Sequence, residues 1–105
     1  MLKVSAESPL PKRFSLDQNY PNPFNPGTVI RYQLPAPSYV TLNIYNMLGE
    51  IVRTLVKRVQ DAGYKSVELD GSGLASGVYV YRLEAVDGRH ASQVFMDVKK
   101  MLLVK

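Results

Sequence analysis

From Thr28 onward the sequence alternates between apolar and polar residues with a period of two, and every alternating run stops at a cluster of turn-forming residues. In Thr28–Leu34, Ile30, Tyr32 and Leu34 fall on one side, Arg31 and Gln33 on the other. In Tyr39–Asn46, Val40, Leu42 and Ile44 alternate with Thr41, Asn43 and Tyr45. Lys65, Val67 and Leu69 share a side of Tyr64–Leu69, and Tyr79, Tyr81 and Leu83 share a side of Val78–Val86. Successive side chains of an extended chain point to opposite faces, so these runs describe strands with one buried face. Between them stand Pro35-Ala36-Pro37-Ser38, Asn46–Glu50, Asp61-Ala62-Gly63, Asp70-Gly71-Ser72-Gly73 and the hairpin signal Asp87-Gly88. Gly49 suits the positive φ that the second of these turns needs.

Two segments are less plain. Ile51–Val59 also fits a helical spacing through Ile51, Leu55 and Val59, but its β-branched residues favour a strand. Gln93–Lys105 supplies a last strand or two. The sum is about seven strands at spacings of roughly ten residues, the pattern of an all-β, immunoglobulin-like antiparallel β-sandwich. No regular exchange of strand with long helix occurs, which disfavours a parallel α/β fold.

Ahead of the first clear strand lies Asn19-Tyr20-Pro21-Asn22-Pro23-Phe24-Asn25-Pro26-Gly27. Proline fixes φ and pushes the residue before it towards extended geometry, and asparagine bonds nearby backbone groups. Pro21, Asn22, Pro23, Phe24, Asn25 and Pro26 are therefore expected to form a rigid, irregular corner, with Tyr20 and Phe24 plugging it onto the core. Replacing Pro23 and Pro26 is expected to cost stability first. Residues 1–12, polar and carrying Pro9 and Pro11, are expected to be a linker or an expression-derived segment, leaving 13–105 as one domain.

Composition removes several functions. With no cysteine there are no disulfides, thiolate metal sites or cysteine nucleophiles. The net charge of +4 is mild and its basic residues are scattered, unlike the dense stripe of a nucleic-acid binder. Met101-Leu102-Leu103-Val104 is too short to span a bilayer, and Met1–Ala6 lacks the apolar core of a signal peptide. His90 is the sole histidine, and its place after Asp87-Gly88-Arg89 reads as an exposed hairpin tip. No Gly-x-Ser-x-Gly elbow, phosphate-binding glycine motif or zinc ligand set is present. The Asp70–Gly73 loop lacks the alternating ligands and closing glutamate of a calcium loop and reads as a turn. Tyr32, Tyr79 and Tyr81 read as core with hydroxyls at the rim, Tyr39, Tyr45 and Tyr64 as exposed. The chain has no tryptophan, which weakens a sugar-stacking platform. No cofactor and no catalytic residue is expected.

The run Phe14-Ser15-Leu16-Asp17-Gln18-Asn19-Tyr20-Pro21-Asn22-Pro23-Phe24-Asn25-Pro26 resembles the entry motif of the type A C-terminal sorting domains of type IX (Por) secretion. The likeness continues through Thr28–Pro35, Val40–Gly49, Val52–Val56, Ala62-Gly63 and Leu74–Leu83, and ends in Lys99–Lys105. The chain is also similar to the immunoglobulin-like domain of flagellar hook-capping proteins. Leu69 stands where family members usually carry tryptophan, and the hairpin around Val86–Gln93 is longer than usual.

The resemblance implies a non-catalytic carrier that sends a larger cargo through the outer membrane to the cell surface or the medium, by way of the periplasm. Its implied partners are the outer-membrane type IX machinery, a sortase-like peptidase and an upstream cargo domain, with Leu2–Lys12 as the expected cleavage zone. Recognition is expected at Lys99, Lys100, Met101, Leu102, Leu103, Val104 and Lys105, by strand addition to a partner's sheet; an ordinary last strand is the competing reading. Deleting these seven residues is expected to abolish export and leave the sandwich folded. No nucleic acid and no membrane span is expected, while exposed edges allow a homodimer of the isolated domain. The other functional readings are an accessory module that binds polysaccharide or cell surface, and a structural immunoglobulin-like spacer of a secreted enzyme.

Overall fold

The alternating runs become strands of two antiparallel sheets in the computed structural model, which describes residues 9–105. β1 (Ser15–Leu16), β2 (Gly27–Leu34) and β5 (Gly63–Asp70) form one sheet in the order β1-β2-β5. β3 (Ser38–Tyr45), β4 (Ile51–Gln60), β6 (Gly77–Asp87) and β7 (Val94–Leu103) form the other in the order β4-β3-β6-β7. The expected sandwich is thus the observed one.

The core follows from the period of two. Ile30, Tyr32 and Leu34 of β2 and Leu69 of β5 face Val40, Leu42 and Ile44 of β3 and Tyr81, Leu83 and Ala85 of β6, all buried. Met101 and Leu103 close the end of β7. A one-residue slip would turn each row to solvent, so burial itself sets the register. The β2–β5 and β6–β7 ladders accordingly run without a break, from Gly27↔Asp70 to Leu34↔Gly63 and from Gly77↔Leu103 to Val86↔Val94.

Ile51–Gln60 is a strand, as its β-branched residues favoured. Its helical spacing reflects its place at a sheet edge, where only Val56 is buried and no strict alternation is required. Its pairing with β3 carries two irregularities, at Leu42/Asn43 and Ile44/Tyr45. Gln93–Lys105 gives one strand, not two, and the seventh strand is the short β1. Asp87-Gly88 begins a longer loop, residues 88–93, instead of a two-residue hairpin. Gly88 is needed there because its N–H donates to the Pro37 carbonyl at 2.8 Å, and a Cβ would stand 2.6 Å from that oxygen.

The expected linker lies mostly outside the described residues. Of its last four residues, Leu10 is exposed and Pro11 is buried. Gln33 Nε2 donates to the Arg13 carbonyl at 2.9 Å just beyond.

Candidate recognition site

The corner is built around a buried asparagine. Asn19 is 2% exposed, and its Nδ2 donates to the Pro21 carbonyl and to Thr28 Oγ1, each at 3.0 Å. Thr28 Oγ1 donates to the same Pro21 carbonyl at 2.8 Å. Gln18 Nε2 donates to Asn19 Oδ1 at 2.7 Å. The prolines bring no N–H of their own, so side chains supply the bonds that a strand ladder would otherwise make. The peptide bonds before Pro21, Pro23 and Pro26 are cis.

Tyr81 ties this corner to the core. Its hydroxyl donates to the Asp17 carbonyl and accepts from the Asn19 N–H, both at 2.7 Å. Burial pushes its pKa up to about 12. Contrary to the expectation of a hydroxyl at the rim, the residue is completely enclosed. Phe24 plugs the corner as expected, at 1% exposure, but Tyr20 does not: it is 74% exposed. The Tyr20 backbone exchanges two hydrogen bonds with Val29, each at 3.0 Å, and that pairing turns its side chain outward.

The two segments singled out in the sequence, far apart along the chain, meet in space. Phe24 forms a parallel bridge with Leu103: its N–H donates to the Leu102 carbonyl and its carbonyl accepts from the Val104 N–H, both at 2.9 Å. The Leu102 N–H donates to Asn22 Oδ1 at 2.9 Å, and Gln18 Nε2 donates to the Lys100 carbonyl at 2.7 Å. The corner thus caps the edge of β7 from Lys100 to Val104. Beneath this clasp sits Gly71, whose N–H donates to the Pro26 carbonyl at 2.8 Å. A Cβ there would lie 3.1 Å from Phe24 and 3.2 Å from Leu103, a tight fit that those side chains would have to shift by a few tenths of an ångström to admit.

Residues 99–105 are not a free tail. Met101 and Leu103 are each 1% exposed, and Lys99–Leu103 pair with Gly77–Tyr81. This burial argues against the expectation that their deletion spares the fold. Lys99 lies 3.9 Å from Asp97, and Lys105 Nζ donates to the Ser72 carbonyl at 2.7 Å. Lys100 makes no ion pair among the described residues.

Asp87, which the sequence marks only as part of a hairpin signal, is a buried acid. It is 1% exposed and gripped by Arg89, through Oδ2–Nη2 at 2.8 Å and Oδ1 to the Arg89 N–H at 2.7 Å. These bonds hold its carboxyl down at about 2. The backbone N–H of Ser72 likewise lowers Asp70, making the turn read from the sequence. His90 is exposed in the 88–93 loop. Tyr39 and Tyr64 are exposed on different sheets, and Tyr45 is half-buried. Among the described residues no group of three or more histidine, cysteine or acidic side chains is placed to hold a metal ion, and no helix is long and apolar enough to cross a membrane.

The family model described as "Secretion system C-terminal sorting domain" matches residues 18–97, which take in the whole corner and stop short of Lys99. No curated protein matches the chain. The crystal structure of CopC from Methylosinus trichosporium OB3b has the same sandwich fold, with a TM-score of 0.57 and 13% identity over 87% of this chain and 93% of that one.

Proposed function

Since this chain belongs to the family of secretion system C-terminal sorting domains, those of type IX secretion, we propose that it directs a larger cargo protein across the outer membrane. Family members are in general non-catalytic. In this reading the chain is a non-enzymatic address label, passing through the periplasm and ending at the cell surface or in the medium. The outer-membrane type IX machinery reads it, and a sortase-like peptidase separates it from its cargo within residues 2–12.

The observation that carries this reading is the match over residues 18–97. The fold supports it physically. The same corner that the family model covers clasps the last strand, so the N-terminal and C-terminal signature segments are held together by hydrogen bonds. A polysaccharide-binding module would call for exposed aromatics in a row; of the exposed tyrosines, Tyr39 lies on one sheet, Tyr64 on the other, and Tyr20 projects from the corner.

The test is a fusion. The 105-residue chain is attached behind a passive fluorescent protein that carries an export signal, in bacteria with and without type IX machinery. Delivery to the surface or medium only in the competent strain is the expected outcome. Periplasmic retention of a folded fusion in both strains would reject the proposal.

A further inference from the structure

Three strands offer long edges: β4, β5 and β7. They are not equally open to another strand. The β3–β4 pairing is interrupted twice, and β4 carries exposed Lys57 and Arg58. Irregularity and charge are the usual guards against edge pairing. The outward row of β5 is Tyr64, Ser66, Glu68 and Asp70, polar and twice acidic. β7 is less guarded along its first half, whose one charge, Asp97, lies on the opposite face from Val94, Met96 and Val98. Its ladder with β6 is regular, and its outward row is Val94, Met96 and Val98, each about half exposed at 51%, 52% and 49%.

The main chain of β7 shows which groups are open. The Gln93 carbonyl accepts from the Asp87 N–H, so odd-numbered residues turn their groups towards β6. Leu102 and Val104 turn theirs towards the corner. By alternation, Val94, Met96 and Val98 direct N–H and C=O away from β6. Among the described residues only the Val98 N–H has a partner there, Asp97 Oδ1 at 2.8 Å. The corner fills the neighbouring strand position from Lys100 to Val104 and stops. Phe24 already pairs with Leu103 in strand fashion, so a guest strand beside Val94–Val98 would continue an edge contact that the molecule itself begins.

Resting on the sorting reading above, we infer that the machinery reads this domain by adding an extended segment of its own to the edge of β7 at Val94–Val98, not at the clasped residues 99–105. The guest segment carries alternating apolar residues on the face of Val94, Met96 and Val98. It also places a carboxylate beside Lys100, which has no ion-pair partner among the described residues. Main-chain bonds supply the affinity, and the apolar row with its terminal lysine supplies selectivity.

Met96→Pro tests this in the fluorescent fusion. Residue 96 points its N–H outward, so proline removes a donor from the open edge and none from the β6 ladder, a position where edge strands accept proline. Export is expected to fall about tenfold, the equivalent of one lost main-chain hydrogen bond, with the circular dichroism and melting transition of a folded sandwich. If that variant fails to fold, the double substitution Val94→Lys/Met96→Lys replaces exposed side chains only and is expected to lower export likewise. Wild-type export by either variant when folded would overturn the inference. So would a wild-type domain that sediments as a dimer with its Met96 amide protected from hydrogen exchange, since the edge would then belong to a second copy. Failure of the unsubstituted fusion to be exported would instead strike the sorting reading itself.

Discussion

Tyr81 shows how one side chain can serve both core and corner. Its ring fills the space between the sheets while its hydroxyl holds the backbone of Asp17 and Asn19. Tyr81→Phe keeps the ring and strands a buried Asn19 N–H. An unsatisfied buried donor costs about 1–3 kcal/mol, and in a domain of this size each kcal/mol lowers Tm by about 4–8 °C. Urea denaturation of the variant should report a loss in that range; an unchanged midpoint would mean the hydroxyl is dispensable. Alternation placed Tyr81 in the core. It did not reveal the hydroxyl's partners, because Asp17 and Asn19 lie more than sixty residues away along the chain. The exposure of Tyr20 was hidden for a similar reason: an aromatic between asparagine and proline has no periodicity to say which way it points.

At the level of elements, β7 is two things at once. Its second half is core and clasp, through Met101, Leu103 and the bonds to Asn22 and Phe24; its first half is an open edge. Truncation and point substitution should therefore part company. Leu103→Ala is expected to cost about 2–5 kcal/mol, as for other large-to-small core changes. Deletion of Lys99–Lys105 removes both buried side chains and the pairing with Gly77–Tyr81, and is expected to leave no cooperative thermal transition. Lys100→Ala, at the exposed face, should shift stability by less than about 0.5 kcal/mol. A truncated domain that melts cooperatively near the wild-type temperature would contradict this account of the last strand.

For the molecule as a whole, ionisation bounds the stable range. Asp87 has its carboxyl lowered from 3.8 to about 2 in the fold. The unfolded chain therefore takes up that proton first as pH drops, and stability present above pH 3.8 is lost as pH falls through about 2. Tyr81 is raised from 10.0 to about 12, so its contribution is whole below pH 10 and is lost as pH climbs through about 12. Tm measured against pH should decline on both flanks. Asp87→Asn should flatten the acid one, and an acid limb unaltered by that change would assign it to other carboxylates. The layers of this sandwich are legible in the sequence: a period of two and turn residues at short intervals dictate which side chains are buried, and both are local properties. The sequence also marks Pro21–Pro26 and Lys99–Lys105 as unusual. That these two segments clasp each other, that the clasp ends at Lys100, and that Val94–Val98 is left open emerge from the packing of the folded chain. Those are contacts between residues some eighty positions apart, and no local pattern records which strand edge a distant corner will cover.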